Sequence, residues 1–183
     1  MDRRQQKTRI AIFQAFSRLM ETKRFEHITV QQIIDEANIG RSTFYAHFET
    51  KDNLLEVMCA DIFHHVFSKA LKAERTHDFS SDSSLSSRVT HILYHMKERK
   101  EIPILFMSDS SELFVRYFRS YLVELFSEYE QQFPREVPAD FVIHHLTGSF
   151  IEMVRWWCSG GMECTPEEVT AYYMKVVAPT LSA

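Results

Sequence analysis

A short segment that begins at Arg41 combines residue types that suit contact with a nucleic acid. Arg41, Ser42 and Tyr45 fall on one side of a helix drawn through it, while Phe44 and Phe48 fall on the other. An arginine can bridge the O6 and N7 atoms of guanine, and hydroxyl groups can bond phosphates or base edges. The spacing predicts a short helix anchored by two phenylalanines, with hydrogen-bond donors facing solvent.

A preceding helix and a tight turn must hold this segment in place. Thr29 and Gln32 form a capping box at the start of that helix, and Asn38 and Gly40 follow its end. Asn38 can adopt the left-handed conformation that reverses the chain, and Gly40 can cap the next helix. Two short helices joined in this way are typical of a helix-turn-helix, whose second helix presents its first residues to the major groove. A polar three-helix core that never contacts DNA is the alternative interpretation. Apolar residues recur at helical spacing in an earlier helix (Ile10, Phe13, Phe16, Met20) and in the preceding helix (Val30, Ile33, Ile34, Ala37).

The remainder of the chain is also predicted to be helical. Apolar residues recur every three or four positions, and no stretch alternates with period two for long enough to demand a strand. The serine-rich stretch His77–Ser87 is expected to form a loop, and Pro103 to stop the fifth helix. These patterns predict an all-α fold of about nine helices. Residues 1–50 would form a three-helix domain and residues 51–183 a helical bundle.

Charge and composition narrow the functional class. Residues 1–24 hold seven lysines and arginines against two acidic residues, whereas residues 56–183 hold twelve basic and eighteen acidic residues. A basic end on an acidic body is typical of a protein that touches a polyanion at one end. The three cysteines form no CxxC pattern, and no apolar stretch approaches the ~20 residues of a membrane span. We expect a soluble cytoplasmic protein with reduced thiols and no membrane partner.

Residues 8–55 resemble the N-terminal domain of the TetR family of transcriptional regulators. The most specific part is STFYAHFETKDNLL, residues 42–55, which is similar to the recognition helix of that family and the start of its fourth helix. Asn38 stands where a glycine is common and Gly40 where a serine often caps the helix. The resemblance implies a regulator bound to a palindromic double-stranded DNA operator. It also implies phosphate contacts from Thr29, Tyr45, His47 and Lys51, and groove contacts from Arg41, Ser42 and Thr43.

The C-terminal half resembles the family in architecture. Arg155-Trp156-Trp157, Gly160-Gly161 and Thr165-Pro166-Glu167-Glu168 are similar to one C-terminal subgroup, in which the last two helices pair with a second copy across a two-fold axis. A helix that is apolar on most sides also needs covering beyond its own chain. We therefore expect a homodimer. Its four-helix interface would include Phe141, His145, Phe150, Trp157 and Tyr173.

Aromatic residues and methionines are abundant between about residues 85 and 133. They suit core packing, and they also suit an apolar ligand cavity with a few polar groups. His91 and His95 could supply polar groups or ligate a metal, but no neighbouring residue completes a ligand set, so neither a metal nor a cofactor is expected. The candidate lining residues of the cavity are Met96, Phe106, Phe114, Tyr117, Phe118 and Tyr121.

The resemblance implies a repressor that an unidentified small-molecule ligand releases from DNA by moving the fourth helix. An activator, a repressor without an inducer, and a TetR-like coactivator that binds protein rather than DNA remain alternatives. An enzyme is not expected, because the chain has no GxSxG, HExxH, Walker or GxGxxG motif.

Overall fold

The computed structural model describes residues 3–66, 82, 84–99, 101–107 and 111–181. Within them the chain forms nine α-helices and three 3-10 segments, with no strand, which confirms the predicted all-α fold. The helices are α1 (Arg3–Thr22), α2 (Val30–Ala37), α3 (Arg41–Tyr45), α4 (Lys51–Val66), α5 (Leu85–Glu98), α6 (Glu101–Met107), α7 (Ser111–Ser127), α8 (Ala139–Ser159) and α9 (Pro166–Val177). The 3-10 segments are Phe25–His27, Glu130–Gln132 and Ala178–Thr180.

Two boundaries around α5 differ from the predictions. The helix begins at Leu85, inside the predicted loop His77–Ser87, because the Ser84 side chain accepts a hydrogen bond from the first turn. Residues 77–81 and 83 of that loop lie outside the described residues. At its other end α5 already stops at Glu98, and Pro103 lies in the first turn of α6. A proline is tolerated there because its missing N–H would have no intrahelical partner.

The first three helices pack into a small apolar core. Phe16 and Met20 of α1 are buried, as predicted, and so are Ile33 and Ile34 of α2. Ile10 is instead half exposed, since it lies at the edge of the α1 stripe. α1 and α2 pack along each other, and α3 packs against α2.

Aromatic rings fill the interior of the C-terminal bundle. Phe118 of α7 lies 5.9 Å from Phe150 of α8, measured between ring centroids, and Phe150 lies 5.4 Å from Tyr173 of α9. The Thr90 hydroxyl of α5 donates a 2.9 Å hydrogen bond to the Thr170 hydroxyl of α9, so this polar pair is satisfied inside the core. In the described part of the chain, no helix is both long and apolar enough to cross a bilayer.

The two halves of the chain share an interface. α6, in the second half, packs against α1, in the first half. The division into two domains at residue 50 therefore remains a prediction, because helices from both predicted domains pack against each other.

Replacing Phe44 by alanine should lower the free energy of unfolding by about 3–5 kcal/mol, since Phe44 is fully buried beneath α3. Urea denaturation followed by circular dichroism measures this loss. Ile10→Ala is the matched control on the same three-helix core, because Ile10 is 48% exposed, and its cost should stay below about 1 kcal/mol. Equal losses for the two variants would contradict the packing described here.

Candidate DNA-binding surface

Two phenylalanines set the orientation of α3. Phe44 is 0% exposed and Phe48 is 2% exposed, and their rings lie 5.9 Å apart. Phe13 of α1 lies 5.8 Å from Phe48 and covers it from the other side. Since both anchors face the core, the opposite side of this five-residue helix must face solvent.

The outward side of α3 carries the predicted groove-facing residues. Arg41 and Ser42 are exposed, and Thr43 is half-buried. Tyr45 is 51% exposed, and its ring packs edge-on against Phe44 at 5.5 Å. The edge contact steadies the ring while its hydroxyl end reaches solvent.

The turn before α3 has the predicted geometry. Asn38 adopts the left-handed conformation with φ 51° and ψ 52°, and its N–H bonds back to the carbonyls of α2. Gly40 is the N-cap of α3 at φ −78° and ψ 152°, and no side chain caps the helix there. The backbone at Gly40 is ordinary, so any small residue could adopt it.

Arg41 is oriented by a neighbouring helix. Its Nη2 donates a 2.8 Å hydrogen bond to Oε1 of Gln31, and Nε2 of Gln31 donates a 2.8 Å bond to Oδ1 of Asp35. A guanidinium has five N–H groups, so one bond orients it without exhausting its donors. Sequence spacing gave no signal for this chain of bonds, because Gln31 and Arg41 lie on different helices.

Thr29 lies at the start of α2. Its hydroxyl accepts a 3.2 Å bond from the Gln32 N–H, and the Gln32 side chain accepts a 3.0 Å bond from the Thr29 N–H, so the predicted capping box is confirmed. The Thr29 hydroxyl keeps a hydrogen to donate, at a helix N-terminus that favours anions. His47 is half-buried, with its ring 6.1 Å from that of Phe48.

Lys51 is placed differently from the other predicted contacts. Its ammonium donates hydrogen bonds to three main-chain carbonyls, those of Phe25 at 2.9 Å, Glu26 at 3.1 Å and Ile28 at 3.0 Å. It also lies 4.5 Å from the centre of the Phe25 ring. An ammonium has three N–H groups, and all three point at carbonyls here.

Comparison with known proteins agrees with this geometry. Residues 12–58 match the family model described as bacterial regulatory proteins of the tetR family, and residues 83–178 match a transcriptional regulator C-terminal region. The crystal structure of a TetR transcriptional regulator from Streptococcus agalactiae 2603V is 34% identical, with a TM-score of 0.77 over 96% of each chain. The chain belongs to the TetR family.

Two further relatives are similar to this chain over a shorter stretch or at lower sequence identity. YxbF of Bacillus subtilis strain 168, an uncharacterized HTH-type transcriptional regulator, is 38% identical over 71 residues, which are 36% of this chain and 19% of that protein. The match thus spans under a fifth of that curated relative. NalD of Pseudomonas aeruginosa, a secondary repressor of the MexAB-OprM multidrug efflux pump, is 18% identical with a TM-score of 0.67 over 99% and 98% of the chains. At that identity the likeness concerns the fold alone.

Most of the predicted pocket residues of this TetR-family protein pack against one another. Phe106 lies 5.1 Å from Phe114 and 5.2 Å from Phe118, edge to face, and Met96 is buried with them. Close ring contact is typical of a filled core, which is the other interpretation that the sequence leaves open. Two clefts of about 400 and 670 Å³ lie instead along α1, and the predicted residues line neither. A cavity among these rings stays a prediction.

Tyr117 and Tyr121 lie at the edge of that ring cluster, half-buried where α7 meets α4. Burial raises the pKa of Tyr117 most, and the nearby carboxylate of Glu56 on α4 raises it further. Burial likewise raises the pKa of Tyr121. Both hydroxyls are therefore neutral at physiological pH.

The predicted dimer residues fall into two groups. Phe150, Trp157 and Tyr173 are buried in the core of their own protomer, so they are not available to a second copy. The sequence pattern does not show which side of α8, which is apolar on most sides, or of α9 faces its own core. Phe141 and His145 do lie on the surface.

The largest exposed apolar residues of α8 and α9 include three that the sequence analysis did not assign to the dimer interface. Trp156, Tyr172 and Val176 are all exposed, and the Trp156 ring lies 6.5 Å from that of Tyr172. Adjacent residues on a helix point about 100° apart, so the two indoles face different sides of α8.

His91, His95 and the cysteines Cys59 and Cys158 are all buried in the packed interior. The rings of His91 and His95 are buried 4.4 Å apart, and His95 Nδ1 lies 3.8 Å from a Glu98 carboxylate oxygen. The described residues hold no group of three or more potential metal ligands. Burial raises the pKa of the Cys59 thiol to about 12 and that of Cys158 to about 11, which keeps both protonated at neutral pH.

Gly40→Ser should be more stable to unfolding than Gly40→Ala by about 1 kcal/mol, because a serine at an N-cap accepts a hydrogen bond that alanine cannot. A new Cβ would meet only the hydroxyl oxygens of Thr43 at 3.7 Å and Ser42 at 3.9 Å, so both variants fit. Thermal unfolding of the pair measures the difference. Equal stabilities would show that α3 does not begin at Arg41.

Proposed function

We propose that this protein is a sequence-specific DNA-binding transcriptional regulator that inserts α3 into the major groove. The observation that supports this most is the burial of Phe44 and Phe48, because it leaves Arg41, Ser42 and Tyr45 on an exposed and rigid face. Family membership supports the same function.

The candidate contacts divide by chemistry. Arg41, Ser42 and Thr43 occupy the first turn of α3, the part of a recognition helix that meets base edges. Thr29, Tyr45 and His47 surround that turn and would bind phosphates, which position the protein without reading sequence. Arg41, steadied by Gln31, is our candidate for a bidentate contact with guanine.

We propose that the regulator is a homodimer joined through α8 and α9. These helices expose Phe141, Trp156, Tyr172 and Val176, which are large apolar residues that a second copy would cover. A two-fold interface brings the same patch of each copy together, so His145 beside Phe141 would also lie within it. Such a dimer can place two copies of α3 in successive major grooves, ~34 Å apart on a palindromic operator.

We propose that the protein represses its target and that a small molecule weakens its hold on DNA. The packing of α4 along α7 supports a route for this effect, because α4 leads directly from the helix-turn-helix. A ligand that binds better when α4 has moved would shift the dimer towards that geometry. A typical coupling of ~1–3 kcal/mol would weaken operator binding about 5- to 150-fold.

Selection of bound sequences from a random double-stranded DNA pool should yield a palindrome. Its affinity, measured by fluorescence anisotropy, should fall steeply with salt, by a log–log slope of about −0.9 for each phosphate neutralised. Arg41→Ala should weaken binding and relax sequence preference at one position of each half-site, at a cost of about 1–3 kcal/mol.

Arg135→Ala is the control for loss of an arginine, because Arg135 lies exposed just before α8 on the C-terminal half. It should bind the selected operator as the unmodified protein does. A salt slope near zero, or no enriched sequence, would contradict the proposal and favour a coactivator that binds protein only.

Trp156→Glu should convert the dimer to a monomer at micromolar concentration, because it places a carboxylate in the centre of the apolar patch. Light scattering coupled to gel filtration measures the mass. Met107→Glu is the control, since Met107 is similarly exposed but lies on α6. An unmodified protein that is already monomeric, or a Trp156→Glu variant that stays dimeric, would rule out this interface.

A further inference from the structure

Lys51 joins two parts of the chain that are distant in sequence. It is the first residue of α4, and its ammonium bonds the carbonyls of Phe25, Glu26 and Ile28 at 2.9, 3.1 and 3.0 Å. The three acceptors lie within and just after the 3-10 segment Phe25–His27.

The first position of α4 is electrostatically poor for a lysine. The N-terminal end of a helix carries partial positive charge, which disfavours a cation. The carbonyls at the end of the 3-10 segment carry the opposite partial charge, and the Phe25 ring face lies 4.5 Å from the ammonium. The ammonium is therefore stabilised by the turn before α2 rather than by its own helix.

These bonds close the helix-turn-helix into a loop. Everything between Phe25 and Lys51 lies inside the closed segment, including all of α2, the turn at Asn38 and all of α3. The six other predicted DNA contacts, Thr29, Arg41, Ser42, Thr43, Tyr45 and His47, are all inside it. Ile28, whose carbonyl is one acceptor, is buried and directly precedes Thr29 at the cap of α2.

We propose that Lys51 is a positioning residue that closes this segment and holds the start of α2 against the start of α4, rather than a ligand of DNA phosphate. The proposal rests on the proposed DNA-binding function. A phosphate contact would require the ammonium to give up a carbonyl that it already bonds. Closing the segment instead limits the relative motion of its two ends, so the contact residues on α2 and α3 are presented together.

Two substitutions separate positioning from phosphate binding. Lys51→Met keeps most of the aliphatic stem and removes the charge. Lys51→Arg keeps the charge, but its planar guanidinium cannot direct three N–H groups from one nitrogen at three carbonyls. Both are measured as full-length protein on the selected operator over a series of salt concentrations, below the melting temperature of each variant.

If Lys51 positions the segment, both variants should bind about tenfold more weakly, as when only a tenth of the molecules hold the binding-competent arrangement. The salt slope of both should equal that of the unmodified protein. Hydrogen exchange of the amides of residues 28–33 should be faster in both variants, while exchange in α8 stays unchanged. Lys23→Met is the control for exchange, because it removes the same charge near the turn but leaves the three carbonyls bonded.

If Lys51 binds phosphate, Lys51→Arg should bind like the unmodified protein. Lys51→Met should then have a slope less negative by about 1.8 for a dimer, since two phosphate contacts are lost. Either result overturns the proposal, as would unmodified affinity in Lys51→Met. Should Lys51→Met fail to fold, the affinity and exchange of Lys51→Arg decide alone. Should the unmodified protein bind no DNA, the proposed function fails, and the exchange measurement still tests the closure.

Discussion

The burial of Phe44 and Phe48 in the core fixes the orientation of α3. A helix of five residues has too few internal hydrogen bonds to be stable on its own, so packing must supply its stability. With both rings in the core, the direction of the outward face follows from helix geometry, and Arg41 and Tyr45 are exposed as a consequence. The two buried rings therefore determine which side chains of α3 are exposed to solvent.

α4 connects that segment to the rest of the molecule. Its first residue, Lys51, bonds the turn before α2, and the helix packs along α7. Leu54 and Leu55, near the start of α4, are buried in the core. In the proposed regulation, a shift of α7 would reach the bonds of Lys51 through α4, because that helix is continuous.

Local features of the fold could be predicted from sequence, and contacts between distant residues could not. The capping boxes at Thr29 and Thr165 and the left-handed Asn38 are each decided within a few residues, and the structure confirms all three. The partners of Lys51 lie 23 to 26 residues away, so no spacing rule reveals them. The TetR-like match of residues 42–55 indicated the function of Lys51 only by analogy.

The C-terminal helices show the same limit in another form. When a helix is apolar on most sides, its sequence predicts that much of its surface is covered. The sequence does not predict which side faces the core of its own protomer. Phe150 therefore looked equivalent to Phe141 in the sequence, although one is fully buried and the other is 64% exposed. The ring cluster around Phe118 is similar: sequence could place aromatic residues on α6 and α7, but only packing decides whether they fill the interior or line a space.

Hydroxyl-radical footprinting of the protein on its selected operator tests whether α3 lies in the major groove. We expect two protected clusters on the DNA backbone, related by the palindrome dyad and about one helical turn apart, and both should weaken together in Arg41→Ala. Uniform cleavage along the operator, or protection that Arg41→Ala leaves unchanged, would contradict the placement of α3 in the groove.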